Sequence, residues 1–108
     1  MKTNFFKVAA FYAFAELTNI EELQMTFTKF LKKKGIKGTV LLAQEGGNGT
    51  VAGTEAGIDE FKNFLQSRDL YVPQNFKTSS CLDDPFPRLK VKLKNEIVSI
   101  GNNLADPS

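Results

Sequence analysis

The spacing of hydrophobic residues changes along the chain, and each change marks an element boundary. Residues 5–14, FFKVAAFYAF, are aromatic, β-prone and free of breakers, which predicts a central strand buried on much of both faces. Thr18 followed three residues later by Glu21 forms a capping-box pattern, and Ile20, Leu23, Phe27, Phe30 and Leu31 then recur at helical spacing. A helix is expected over 19–34. Its last turn carries Lys32, Lys33 and Lys34, where cations complement the helix dipole, and Gly35 supplies a left-handed cap. Residues 37–43, KGTVLLA, and 49–53, GTVAG, read as strands of a hairpin joined by a glycine-rich turn. Thr54 then caps a second amphipathic helix with Ile58, Phe61, Phe64 and Leu65 on its apolar stripe, ending near Arg68.

After Pro73, residues 75–82, NFKTSSCL, form a strand candidate that the turn Asp83-Asp84-Pro85-Phe86-Pro87 stops. In RLKVKLKNEIVSIG, Leu89, Val91 and Leu93 alternate with Arg88, Lys90, Lys92 and Lys94, the period of a half-buried strand. Asn95-Glu96 turns or bulges that strand into Ile97 to Ile100, and the tail GNNLADPS has no core-forming pattern. The order β-α-β-β-α-β plus an extra C-terminal strand or hairpin predicts an α+β, ferredoxin-like two-layer sandwich: an antiparallel sheet with two helices on one face. The folded domain is expected to span 1–101, with 102–108 as a tail.

Composition narrows the function. At 108 residues, 42% of them apolar and ten of them Phe, the chain fits one folded domain. A net charge of +2 is too small for nucleic-acid binding by the whole surface, so any such role rests on a local basic stripe. The single cysteine, Cys81, excludes an internal disulfide and fits a reducing compartment, with the cytoplasm as the default. The start, MKTNFFKVAAFYAFAEL, superficially suggests a signal peptide, but Lys7 interrupts the apolar run and nothing approaches a membrane span.

With no histidine, Ser-His-Asp, Cys-His and His-containing metal sites are excluded, and one cysteine cannot build a thiolate zinc site. No metal, cofactor or catalytic residue is expected. Asp83-Asp84 read as a solvated turn, and Lys32 to Lys34 as a solvated helix end. The stretch Gln44 to Gly53, QEGGNGTVAG, lacks the GxxxxGK[ST] of a P-loop, so it reads as a hairpin turn whose Gly and Asn residues permit positive φ. Glu45 is left unexplained, because a tight turn needs no carboxylate there. On the last strand, Arg88, Lys90, Lys92 and Lys94 lie about 6.6 Å apart, comparable to successive RNA phosphates. Lysines that protect an edge strand from aggregation explain the pattern equally well.

Together, GTVLLAQEGGNGTVAG and RLKVKLKNEIVSIG resemble the N-terminal, acylphosphatase-like domain of the bacterial rhodanese-related sulfurtransferases that act as tRNA wobble-uridine hydroxylases. The resemblance rests on Glu45, Gly46, Asn48, Gly49, Thr50, Val51, Ala52 and Gly53, and on Ile97, Val98 and Gly101 after the basic strand. Gly47 departs from the apolar residue common before the Asn. The resemblance implies cytoplasmic tRNA modification, an oxidoreductase role for the whole family, and a rhodanese domain bearing the catalytic cysteine, with residues 102–108 beginning the linker to it. It implies tRNA as partner, a role in tRNA binding or in positioning the catalytic domain, and no membrane. On charge geometry RNA contacts are expected at Arg88, Lys90, Lys92 and Lys94, and the motif loop is Glu45, Gly46, Asn48, Gly49 and Gly53. A purely structural docking module is one alternative. The other is an acylphosphatase-like hydrolase, against which AFAELTN lacks the glycines and arginine expected after the first strand.

Overall fold

The computed structural model describes residues 6–94. Five strands, β1 (Phe6–Phe14), β2 (Lys37–Ala43), β3 (Gly46–Gly53), β4 (Lys77–Cys81) and β5 (Leu89–Leu93), form one sheet in the order β4-β1-β3-β2-β5. The helices α1 (Ile20–Lys33) and α2 (Glu55–Ser67) complete the expected βαββαβ order. The first four strands pair antiparallel, as anticipated, whereas β5 joins β2 in parallel and makes the sheet mixed. The expected continuation over Ile97 to Ile100 lies outside the described residues.

Both helices cover one face, α1 over β2 and β5 and α2 over β1 and β3. Their apolar stripes meet in a phenylalanine cluster: Phe27 and Phe61 are fully buried, Phe11 packs edge-on against Phe61 at 5.5 Å, and Phe30 stacks on Phe64 at 4.2 Å. Aromatic pairs at such distances add about 1 kcal/mol each to the area they bury. Leu31, Ile36, Val40, Leu42, Val51, Ile58, Leu65 and Leu70, with Ala9 and Ala13 of β1, fill the rest of the core.

The helix ends follow the sequence with one change. Thr54 caps α2, its hydroxyl accepting from the Gly57 amide at 3.0 Å. Gly35, at φ 69°, ends α1 with the Ile36 amide bonded to Leu31 O and the Gly35 amide to Lys32 O. At the start of α1, however, the cap is Asn19 rather than Thr18. Asn19 sits at φ 51°, its side-chain oxygen accepts from the Glu22 amide, and its Nδ2 donates to Glu22 Oε1 at 2.9 Å. Asn tolerates this left-handed backbone far better than the β-branched Thr.

Strand β1 also departs from expectation. Ala9, Phe11 and Ala13 are buried toward the helices, but Tyr12 and Phe14 on the other face are 38% and 57% exposed. Two helices cover only one side of the sheet, so the aromatic run is half-buried and not enclosed on both faces.

Candidate nucleic-acid interface

The QEGGNGTVAG stretch is built differently from the turn its composition suggests. The turn is only Gln44-Glu45, and Gly46, Gly47, Asn48 and Gly49 belong to β3, the middle strand of the sheet. The glycines are there because neighbouring backbones leave no room for a side chain. A Cβ on Gly46, which also has φ 145°, would meet Ala13 O and come within 2.9 Å of Phe14 Cα; one on Gly49 would meet Thr39 O and come within 2.9 Å of Val40 Cα. Gly53 is likewise buried, against Ile36. Composition alone does not separate turn glycines from close-packed ones; strand pairing does.

Glu45 occupies the turn beside the β1–α1 loop. Its carbonyl accepts the Ala15 amide and that of Gln44 the Leu17 amide, both at 2.9 Å. Its carboxylate Oε1 is shut off from solvent and has no hydrogen-bond partner among the described residues. Phe14, Ala15, Glu16, Leu17, Thr18 and Asn19 line an open depression here together with Gln44 and Glu45. Two loop amides are thus committed to carbonyls and two carboxylates line the hollow, an arrangement that repels a phosphoryl anion rather than cradling it.

On β5, Leu89, Val91 and Leu93 pack half-buried against the core, which turns Lys90 and Lys92 to the helix-free face, both exposed. Arg88 and Lys94 flank the strand, also exposed, and are pinned to β2: the Gly38 amide donates to Arg88 O at 3.1 Å and the Lys94 amide to Leu42 O at 2.8 Å. The outer edge of β5 is partly occupied, since Gln24 of α1 donates from Nε2 to Val91 O at 2.7 Å. That side-chain bond blunts the edge, leaving less for the lysines to do as protection against strand addition.

Register sets what the helix-free face presents. Tyr12, Asn48, Leu41 and Lys92 stand side by side in one row across β1, β3, β2 and β5. Lys77, Ala10, Thr50, Thr39 and Lys90 make the adjacent row across the whole sheet. None of the described strands contains an acidic residue; Glu21, Glu22, Glu55, Asp59 and Glu60 lie on the helices. Lys37 is the only lysine of this face with an ion-pair partner among the described residues, bonding Asp84 at 3.0 Å. That bond holds the Asp84 carboxyl below its ordinary value of 3.8.

Residues 6–97 match the family model for the UPF0176 acylphosphatase-like domain. The chain belongs to that family. Among the curated proteins similar to it are tRNA uridine(34) hydroxylases from Agrobacterium fabrum, 45% identical over 95% of this chain and 33% of that protein, and from Bartonella quintana, 46% identical over 89% and 32%. A third, from Picosynechococcus, is 41% identical over 95% of the chain and 35% of its own length. The UPF0176 domain described here therefore spans about a third of these relatives. Two solved structures share the fold. One is full-length HypF in a phosphate- and nucleotide-bound form, with TM-score 0.56, 16% identity, and coverage of 95% of this chain and 16% of that one. The other is the BLUF protein BlrP1, with TM-score 0.66, 10% identity, and coverage of 97% and 77%.

The structure thus brings Lys90, Lys92 and Asn48 of the expected site residues onto one face, and sets Glu45 apart at the end of the hairpin. Gly46, Gly49 and Gly53 serve strand packing. Tyr12, Phe14 and Lys77 escaped the sequence reading, because their common face follows only from pairing β1 with β3 and β4. Among the described residues no group of His, Cys, Asp and Glu converges to hold a metal, and no helix is long and apolar enough to cross a membrane.

Proposed function

We propose that this domain helps a cytoplasmic, rhodanese-related tRNA wobble-uridine hydroxylase hold its substrate, with the basic strand β5 contacting phosphates of the tRNA. The observation that carries the reading is where the acidic residues lie: Lys77, Lys90 and Lys92 face one way on a sheet whose described strands hold no carboxylate, while the helix layer mixes its acidic residues with Lys29, Lys32, Lys33 and Lys62. A polyanion is attracted to the first layer and repelled by none of its strands. The names of the relatives agree with a tRNA substrate. Chemistry on the uridine is assigned to the catalytic cysteine of a separate rhodanese domain, since this chain brings no histidine and its one cysteine, Cys81, lies at the end of an edge strand.

The test is tRNA binding by the chain across a range of salt concentrations. The double variant Lys90→Ala/Lys92→Ala is expected to weaken binding and to flatten the dependence of log affinity on log salt by about 0.7 to 0.9 per lost phosphate contact. Unchanged affinity and slope would overturn the phosphate role. Lost hydroxylation with tRNA binding intact, in a protein that also carries the rhodanese domain, would favour a role in positioning that domain.

A further inference from the structure

We infer that the helix-free face is a binding site for unpaired RNA bases, in which Tyr12 and Phe14 stack on bases while Lys92 and Lys90 hold the adjoining phosphates. The inference rests on the RNA-holding reading above and adds to it a place, a strand state and two residues. Tyr12 and Phe14 are 38% and 57% exposed, neighbours on one face of β1, and their rings meet edge to face with centroids 5.1 Å apart. Each ring props the other, so exposed aromatic surface is held in place instead of collapsing onto the sheet. The backbone beneath is held as well: β1 stays paired with β3 through Phe14, and where its pairing with β4 ends at Ala10, Asn75 donates from Nδ2 to Tyr12 O at 3.1 Å.

Small residues floor the face between the aromatic pair and the basic edge. Beside Phe14 come Gly46 and then Ala43; beside Ala10 come Thr50 and Thr39, and only Leu41 in the Tyr12 row is large. The result is a shallow trough with aromatic rings on one side and lysines on the other. Three strand spacings of about 4.8 Å separate Tyr12 from Lys92, or about 14 Å, a width that a short run of unpaired nucleotides bridges. A duplex cannot use the rings, because its bases are already stacked; single strands offer bases that splay onto aromatic side chains, as four-stranded sheets of RNA-recognition modules exploit. A protein partner is the less favoured occupant, because lysine is depleted at protein interfaces and this face presents Lys90 and Lys92 across the trough and Lys77 beside Ala10, while Glu16 and Glu45 in the hollow that Phe14 also lines leave that end to an uncharged base rather than a phosphate.

The experiment compares binding of an eight-residue oligouridylate and of a blunt RNA duplex to the wild-type chain and to Tyr12→Ala, Phe14→Ala, Tyr12→Phe and Lys90→Ala/Lys92→Ala. Both alanine variants of the aromatic pair are expected to weaken oligouridylate binding on the order of tenfold with an unchanged salt slope, while Tyr12→Phe binds like wild type. Because the chain has two tyrosines and no tryptophan, a Tyr71→Phe background isolates Tyr12 fluorescence, which the oligouridylate should quench. Exposed positions tolerate these changes, and unchanged thermal melting confirms that each variant is folded. If the aromatic variants bind like wild type while the lysine variant is weakened, the stacking site is overturned and the phosphate role stands. If wild type binds neither RNA, or no variant matters, both fall. If wild type sediments as a dimer that Tyr12→Ala and Phe14→Ala dissociate, the face belongs to a second copy of the chain, and the inference is wrong.

Discussion

The two faces of the sheet are made from the same strands yet obey opposite rules. Toward the helices, Ala9, Phe11, Ala13, Val40, Leu42 and Val51 are almost wholly buried and meet Phe27 and Phe61 from above. On the other side β1 and β3 carry Tyr12, Phe14, Asn48 and Thr50, and β5 carries Lys90 and Lys92, with neither described helix over them. Alternation along a strand lets one backbone serve both purposes, so stability can reside in one set of side chains and recognition in the other. Substitutions on the covered face should therefore be read by calorimetry or denaturant, and those on the bare face by RNA affinity.

The sharpest test of that division is Phe61→Ala against Tyr12→Ala. Removing the Phe61 ring is expected to cost about 3 to 5 kcal/mol of unfolding free energy, and the exposed Tyr12 far less, as urea titration of both variants would reveal. A comparable loss at Tyr12 would mean that the bare face is structural after all. Gly49→Ala probes the strand between the two layers: a methyl group there runs into Val40 and Thr39, so a loss of about 1 to 3 kcal/mol is expected without any direct change to an RNA contact. The smallest effect belongs to the ion pair at the foot of the bare face. Because the hydrogen bond from Lys37 lowers the Asp84 pKa in the folded state, it contributes stability above the ordinary carboxylate value of 3.8 and loses it as pH falls through the folded value. Asp84→Asn should therefore cost at most about 1 kcal/mol near neutral pH, and its difference from wild type should fade on acidification, measured as the midpoint of thermal unfolding against pH.

Much of the covered face was legible from hydrophobic spacing alone, because Phe27, Leu31, Ile58, Phe61 and Leu65 could reach a core only as helical stripes. The Gly35 and Thr54 boundaries were equally plain, since each has a local hydrogen-bonding cause. The bare face was not legible, for a physical reason: whether an aromatic on β1 is enclosed depends on what lies over the second side, and that is a property of the whole assembly. The glycines of the EGGNG stretch failed similarly, because a residue without Cβ serves a tight reversal or a crowded sheet interior, and only the pairing of β3 with β1 and β2 distinguishes them. On the basic strand the alternation of Leu89, Val91 and Leu93 with lysine was read directly, whereas its parallel pairing with β2 was not.

That parallel pairing has a consequence for biosynthesis. Gly38 pairs with Leu89, 89 − 38 = 51 residues further on, so the antiparallel four-stranded sheet is fully synthesised before β5 leaves the ribosome. Until then the border of β2, with its β-prone TVLLA, stands bare and open to adventitious strands from other nascent chains. β5, the last of the described strands, closes that border.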